Sequence, residues 1–145
     1  MRLTAGPLAE LSPLQVHQLY KLRVDVFVHE QQCTYAEIDD TDALDTTVHI
    51  CAWSGDELLG TARLFPVAEG LQFGRFCLAP QARGTGLARQ IMSQALEFGA
   101  GRDMLLDAQA PLVPYYEAYG FSPSGELFDD AGVPHQPMRR ATVRA

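Results

Sequence analysis

The sequence predicts an α/β domain in which a mixed, mostly antiparallel sheet carries helices on both faces. Three observations predict it. The short apolar runs "TTVHICAW", "ELLGTARLFPV" and "LQFGRFCLAP", separated by the turn signals "SGD" and "AEG", read as consecutive antiparallel strands. Two longer segments, "LSPLQVHQLYKLRVDVFVHEQ" and "GLARQIMSQALEFGAG", carry helical periodicity. A further apolar strand, "DMLLDAQ", follows the second helix, so helices and strands interleave rather than segregate. The order is α–βββ–α–β–α–ββ, with "RLT" as a candidate strand ahead of it. At 145 residues the chain fits one domain over 1–145, large enough to bury a core without disulfides or metals.

Each element has a local cause. In the first helix Ser12 serves as N-cap, Pro13 suits the first helical position and Gln15 completes a capping box. Val16, Leu19, Leu22 or Arg23, and Val26 recur at helical spacing along it. The stretch "AEIDDTDALD" packs Glu37, Asp39, Asp40, Asp42 and Asp45 together. It reads as a solvated loop, or as a field that draws in a cationic substrate such as an amine. In the second long helix Leu87, Ile91, Ala95 and Phe98 share a face, and glycine closes it. "PLVPYYEAYG" is a short helix ended by Gly120, and "FSPSGELF" with "VPHQPMR" forms a last strand pair around "DDAG".

Composition narrows the function. A net charge of −7 argues against nucleic acid, which demands a basic face. No run is long and apolar enough to span a membrane, and "MRLTAGPLAE" lacks the apolar core of a signal peptide, so a cytoplasmic protein is expected. Cys33, Cys51 and Cys77 are an odd, widely spaced set, which argues against a disulfide framework. Cys51 and Cys77 lie in apolar runs and read as reduced core residues. No His/Cys cluster has metal-site spacing, so no metal is expected.

The chemistry starts at "QARGTGLAR", Gln81 to Arg89, where Gly84 and Gly86 sit at the N-terminus of a predicted helix. Backbone N–H groups and the helix dipole favour an anion there. A dinucleotide-binding turn does not fit, because its last small position falls on Arg89. A P-loop does not fit either, because the only lysine is Lys21, far upstream. The spacing Q/R-x-x-G-x-G/A does fit, at Gln81, Gly84 and Gly86. A second pattern follows the next strand: "QAPLVPYYEAYGF" sets Gln109, Leu112, Tyr115, Tyr116, Gly120 and Phe121 against N-x-x-A-x-x-F/Y-Y-x-x-x-G-F.

Together these two motifs resemble the GNAT family of N-acetyltransferases. The flanks "LRVDVFVHEQ" and "FDDAGVPHQPM" resemble its ElaA-like subgroup, matched by Arg23, Val26, Phe27, Val28, Glu30, Gln31, Gly132, Pro134, His135 and Met138. Val133 and Ala131 depart from the subgroup's pattern.

The resemblance implies the GNAT fold, a sheet splayed at the cofactor site, and acetyl transfer from acetyl-CoA to a primary amine within a ternary complex. It places the pantetheine arm against the backbone of Phe76, Cys77 and Leu78, with an N–H near Leu78 as oxyanion donor. The pyrophosphate would rest on N–H groups of Arg83, Gly84, Thr85, Gly86, Leu87 and Ala88, with the Arg83 guanidinium at hand and Gln109 nearby. Tyr116 is the expected general acid for the leaving thiolate, while Tyr115 and Tyr119 are candidates for packing. Glu30 is the expected general base, with His49 and His135 as tentative substrate-binding groups. Small-molecule and peptide amines both remain open as acceptors, and a homodimer is compatible with the reading. A non-catalytic acyl-CoA sensor and a protein-binding module that docks through the acidic loop are the alternatives.

Overall fold

A computed structural model describes residues 1–142. The candidate strand at the start exists as β1 (Arg2–Gly6), and α1 (Pro13–Arg23) follows it. Ser12 and Gln15 cap α1 reciprocally, as a capping box requires. The helix continues as a π-helical stretch over Val24–Glu30, so its axis carries Phe27 and Gln31 beyond the last regular turn. β2 (Val48–Ser54), β3 (Glu57–Val67) and β4 (Gly70–Leu78) form an antiparallel meander. Then come α2 (Leu87–Phe98), β5 (Met104–Gln109) and the short α3 (Val113–Glu117). The expected last strand pair is three pieces: β6 (Ser122–Pro123) and β7 (Phe128–Asp130), both paired with β8 (Val133–Arg140). Gly125 packs on Pro137, and the chain turns there instead of running straight through "FSPSGELF".

The eight strands form one sheet in the order β1-β2-β3-β4-β5-β8-β6, with β7 on the remaining length of β8. Among the described strands only β4 and β5 pair in parallel. Helices cover both faces, which explains why β2 is apolar without alternation. Its Ile50 and Ala52 join the α2-side core with Leu87, Ile91, Met92 and Ala95. Its Cys51 and Trp53 join the α1-side core with Leu19, Leu22 and Val26. Phe98, expected on the buried face of α2, is exposed at the helix end, and Met92 takes the core position instead.

The acidic loop is solvated only in part: Asp40 and Asp45 are exposed, while the other three acids turn toward the protein. Glu37 and Asp42 are buried against three arginines from other elements. Arg23 Nε donates to Glu37 (2.8 Å) and its Nη1 to Asp42 (2.7 Å). Arg63 Nη1 donates to Asp39 (2.8 Å) and Asp42 (3.0 Å), and Arg75 pairs with Glu37 at 3.2 Å. The segment is a strap ionically pinned to the sheet, with most of its charge cancelled inside the protein.

Two departures from regular pairing open the sheet. Thr61 pairs with Cys77 but Arg63 pairs with Gly74, so Arg75 and Phe76 both stand opposite Ala62. This is a β-bulge, and Arg75 takes φ 48° to make it. On its other edge β4 meets β5 only at Leu71–Met104 and Gln72–Leu105. Beyond Gln72 the two strands part.

Candidate active site

The glycine turn is built as an anion site would need. Gly84 (φ +77°) and Gly86 (φ +84°) occupy the left-handed region, and a Cβ at either would meet nothing within 4 Å. Sterics inside the protein therefore do not call for glycine; the backbone conformation and open access do. Gly86 is the N-cap of α2, so the first-turn N–H groups, Leu87 and Ala88 among them, lack intrahelical acceptors. The Arg83 N–H is already donated to the Pro80 carbonyl (3.3 Å), so that one member of the expected cradle is spent on the turn itself.

The gap between β4 and β5 supplies the second part. Ala79 N–H donates to the Leu59 carbonyl at 2.8 Å, which sets the phase of the β3–β4 ladder. By antiparallel alternation the Leu78 backbone then points away from β3, into the gap. Cys77 stands opposite Thr61 with its backbone turned toward β3 and its side chain in the α1-side core, where burial pushes its thiol up to about 12, so against expectation it offers the gap neither backbone nor thiol. Cys51 is likewise buried and pushed to about 11, and all three cysteines are free.

The gap widens into a cleft of about 340 Å³. Phe76, Gln109 and Tyr116 line it, and so does His135. Tyr116 is 8 % exposed, its ring edge-on to Phe73 and Phe121. Burial alone pushes its hydroxyl up to about 12, so it holds its proton at neutral pH. Among the described residues that hydroxyl has no hydrogen-bond partner. Tyr115 is the packing tyrosine: it stacks among Phe76, Tyr116 and Tyr119 and does not line the cleft. Gln109 reaches across the cleft mouth, its Nε2 donating to Gln31 Oε1 at 2.9 Å.

Two expected residues lie elsewhere. Glu30 grips Arg83 bidentately, at 2.8 and 2.9 Å, and lines a separate hollow between α1 and the segment from Ala79 to Gln81. The Arg83 hydrogen bond holds its carboxyl below the usual range, which makes it a poor proton acceptor in this pairing. His49 is 2 % exposed and its Nε2 donates to the Asp42 carbonyl at 2.9 Å. Burial lowers its basicity, and it does not line the cleft. It is a core histidine that positions the strap. The structure thus brings Phe76, Gln109, Tyr116 and His135 together, and leaves Glu30 and His49 outside.

Lining residues not anticipated from sequence include Tyr35, Asp107, Phe128 and Asp130. Asp107 did carry a signal, since it shares a strand face with Gln109 at period two within an otherwise apolar run. Arg63 and Arg75 also carried one, as arginines inside apolar strands with an acidic stretch to meet. No group of three His, Cys, Asp or Glu among the described residues is arranged to hold a metal ion. No helix among them is long and apolar enough to cross a membrane.

Residues 9–142 match the acetyltransferase (GNAT) domain family. The chain belongs to the GNAT family. It is 35% identical over 144 residues to the ElaA protein of Escherichia coli, covering 94% of each chain. The crystal structure of E. coli ElaA superposes with a TM-score of 0.88 at 34% identity, covering 96% of this chain and 98% of that one. An acyl-CoA N-acyltransferase from Pseudomonas aeruginosa superposes with a TM-score of 0.90 at 36% identity, covering 97% and 99%. The mostly antiparallel sheet with its flanking helices is the GNAT fold, and this chain resembles the ElaA-like members along nearly its whole length.

Proposed function

We propose that the protein transfers an acetyl group from acetyl-CoA to a primary amine, by direct attack within a ternary complex. One combination supports the reading: a left-handed glycine turn opens α2 soon after β4, the Leu78 N–H points away from β3, and a protonated, unpartnered tyrosine lines the cleft. The N–H groups from Gly84 to Ala88 would hold a pyrophosphate. The amide-bearing arm of the donor would pair with the free edge of β4 as an added strand does. The Leu78 N–H would stabilise the tetrahedral oxyanion, a contribution commonly about 3 kcal/mol. Tyr116 would protonate the departing thiolate. Arg83 lends charge to the pyrophosphate only after exchanging Glu30 for it, which makes Glu30 a counterion in this reading rather than the base.

A sensor that binds acyl-CoA without turnover would need the cradle but not Tyr116, and the buried donor hydroxyl facing the cleft favours the enzyme. The test is binding followed by turnover. Acetyl-CoA is expected to raise the Tm of the wild type by mass action, and not that of Gly84→Glu, in which a carboxylate stands where the pyrophosphate would lie. The Tm of the variant without ligand serves as its own baseline, because any side chain at φ +77° strains the turn. Equal ligand responses would remove the turn from the site. Acetyl-CoA binding without CoA release across a broad amine panel would favour the sensor.

A further inference from the structure

One part of the cleft has no role in the donor reading above. Its walls are Tyr35, Asp107, Phe128, Asp130 and His135. His135 is 7 % exposed, its ring stacked on Phe128 (5.6 Å, 20°) and edge-on to Tyr35 (6.5 Å). Its Nδ1 lies 2.8 Å from the Val133 carbonyl oxygen. A carbonyl only accepts, so Nδ1 carries the hydrogen and the neutral ring keeps its lone pair at Nε2. Among the described residues nothing donates to that Nε2. The fold has fixed the ring, its tautomer and an unused acceptor in a cleft wall.

Charge identifies what this part would take. Arg63 and Arg75 also line the cleft, and both pair through Nη1, Nη2 or Nε with the strap carboxylates of Glu37, Asp39 and Asp42, which leaves the buried Arg63 Nε without a partner among the described residues. Asp107 and Asp130 form no ion pair among the described residues. Asp107 sits on β5 on the same face as Gln109, the register partner of His135, while Asp130 comes from the hairpin opposite. Burial raises the Asp107 carboxyl, His135 opposes that shift, and Asp130 adds to it, so the three groups are within electrostatic reach of one another. Two unpaired carboxylates and aromatic walls fit an organic cation with an apolar body.

We infer that the acceptor is a primary ammonium on an aromatic or apolar body, held by Asp107 and Asp130, and that His135 Nε2 is the general base. This rests on the acetyl-transfer reading above. One ammonium proton moves to Nε2, and the freed lone pair attacks the thioester carbonyl carbon. As the C–N bond forms and the C–S bond breaks, the sulfur takes the Tyr116 proton. The second nitrogen proton returns to that tyrosine through water, and the imidazolium releases its own to solvent. The products are the N-acetylamine, CoA thiol and one proton.

The probe is 2-phenylethylamine, with 3-phenylpropanoate as the anion of the same shape. His135→Asn keeps an amide donor for the Val133 carbonyl and removes the Nε2 acceptor. It is expected to lower kcat/KM about 100-fold or more at neutral pH, with the deficit closing as pH nears the amine's own pKa. Acetyl-CoA should still raise its Tm as in the wild type. Asp107→Asn should raise KM for the amine about tenfold and change kcat far less. Nitrogen NMR of the wild-type imidazole gives a readout independent of turnover and of how the variants fold. The Nδ1–H tautomer should appear, and 2-phenylethylamine, not 3-phenylpropanoate, should shift its signals. A wild-type pH profile in His135→Asn, the opposite tautomer, or failure of 2-phenylethylamine both to bind and to react would overturn the inference alone. Failure of acetyl-CoA to bind takes down the acetyl-transfer reading and this one with it.

Discussion

Replacing Asp42 with asparagine keeps the shape of a fully buried side chain and removes its charge. Asp42 Oδ1 accepts from Arg23 (2.7 Å) and Arg63 (3.0 Å), and Oδ2 accepts from Arg23 (3.1 Å) and the Asp39 N–H (3.1 Å). An amide can reproduce one of these two oxygens. Its NH2 then confronts two donors, and two guanidiniums are left sharing Glu37 and Asp39. Removing one partner of a buried ion pair costs about 3–5 kcal/mol, against a total stability of roughly 5–15 kcal/mol. At about 2–4 °C per kcal/mol for a domain of this size, Tm should fall by about 6–20 °C. The damage should reach the cleft, because Arg75 holds the strap by the Glu37 and Ala36 carbonyls, both at 3.1 Å, and the strap carries Tyr35. Arg23 holds the Asp42 carboxyl below its ordinary value despite burial. Its contribution is therefore present above the ordinary carboxylate pKa and lost only as pH falls through the lower folded value. Urea titration of wild type and Asp42→Asn at neutral pH measures the difference. A loss of about 1 kcal/mol or less, the worth of an exposed pair, would refute the buried network and return the strap to solvent.

Glu30→Gln should leave kcat nearly unchanged and tighten acetyl-CoA binding by up to about fivefold, since a solvent-exposed ion pair contributes little. Weaker kcat with unchanged donor affinity would restore Glu30 as the base. His49→Gln should flatten the stability profile in mild acid while keeping a donor for the Asp42 carbonyl. Burial depresses the folded His49 pKa, so below about pH 6.5 the unfolded chain takes up a proton the folded one refuses, and stability falls with pH. An identical slope in the variant, by urea midpoints across that window, would show that His49 does not contribute it.

What the sequence disclosed follows the range of the interactions. The left-handed turn at Gly84 and Gly86 before α2, and the place of Tyr116 on a short helix, were legible because both follow from local backbone grammar and fixed spacing. The capping box at Ser12 and the hairpin turns are local in the same sense. The strap was misread because its partners, Arg23, Arg63 and Arg75, come from three distant elements, and a run of acids reads as solvated until those are placed. Asp107, Asp130 and His135 meet only through the β5–β8–β7 register, which no spacing rule supplies. Glu30 lies outside the cleft for a related reason: its helix end faces the Arg83 side of the turn. Phe98 shows the limit of helical periodicity, which marks a face but not where the sheet beneath it stops.

The central claim is acid catalysis at Tyr116 in acetyl transfer from acetyl-CoA. Its most direct test is Tyr116→Phe, which deletes one hydroxyl from a ring packed between Phe73 and Phe121 and leaves the packing in place. The measurement is kcat for CoA release with an amine the wild type accepts, alongside acetyl-CoA affinity by calorimetry. The account predicts a kcat lower by about 100-fold or more, with affinity unchanged within about twofold. A folded Tyr116→Phe variant that turns over at the wild-type rate would contradict it.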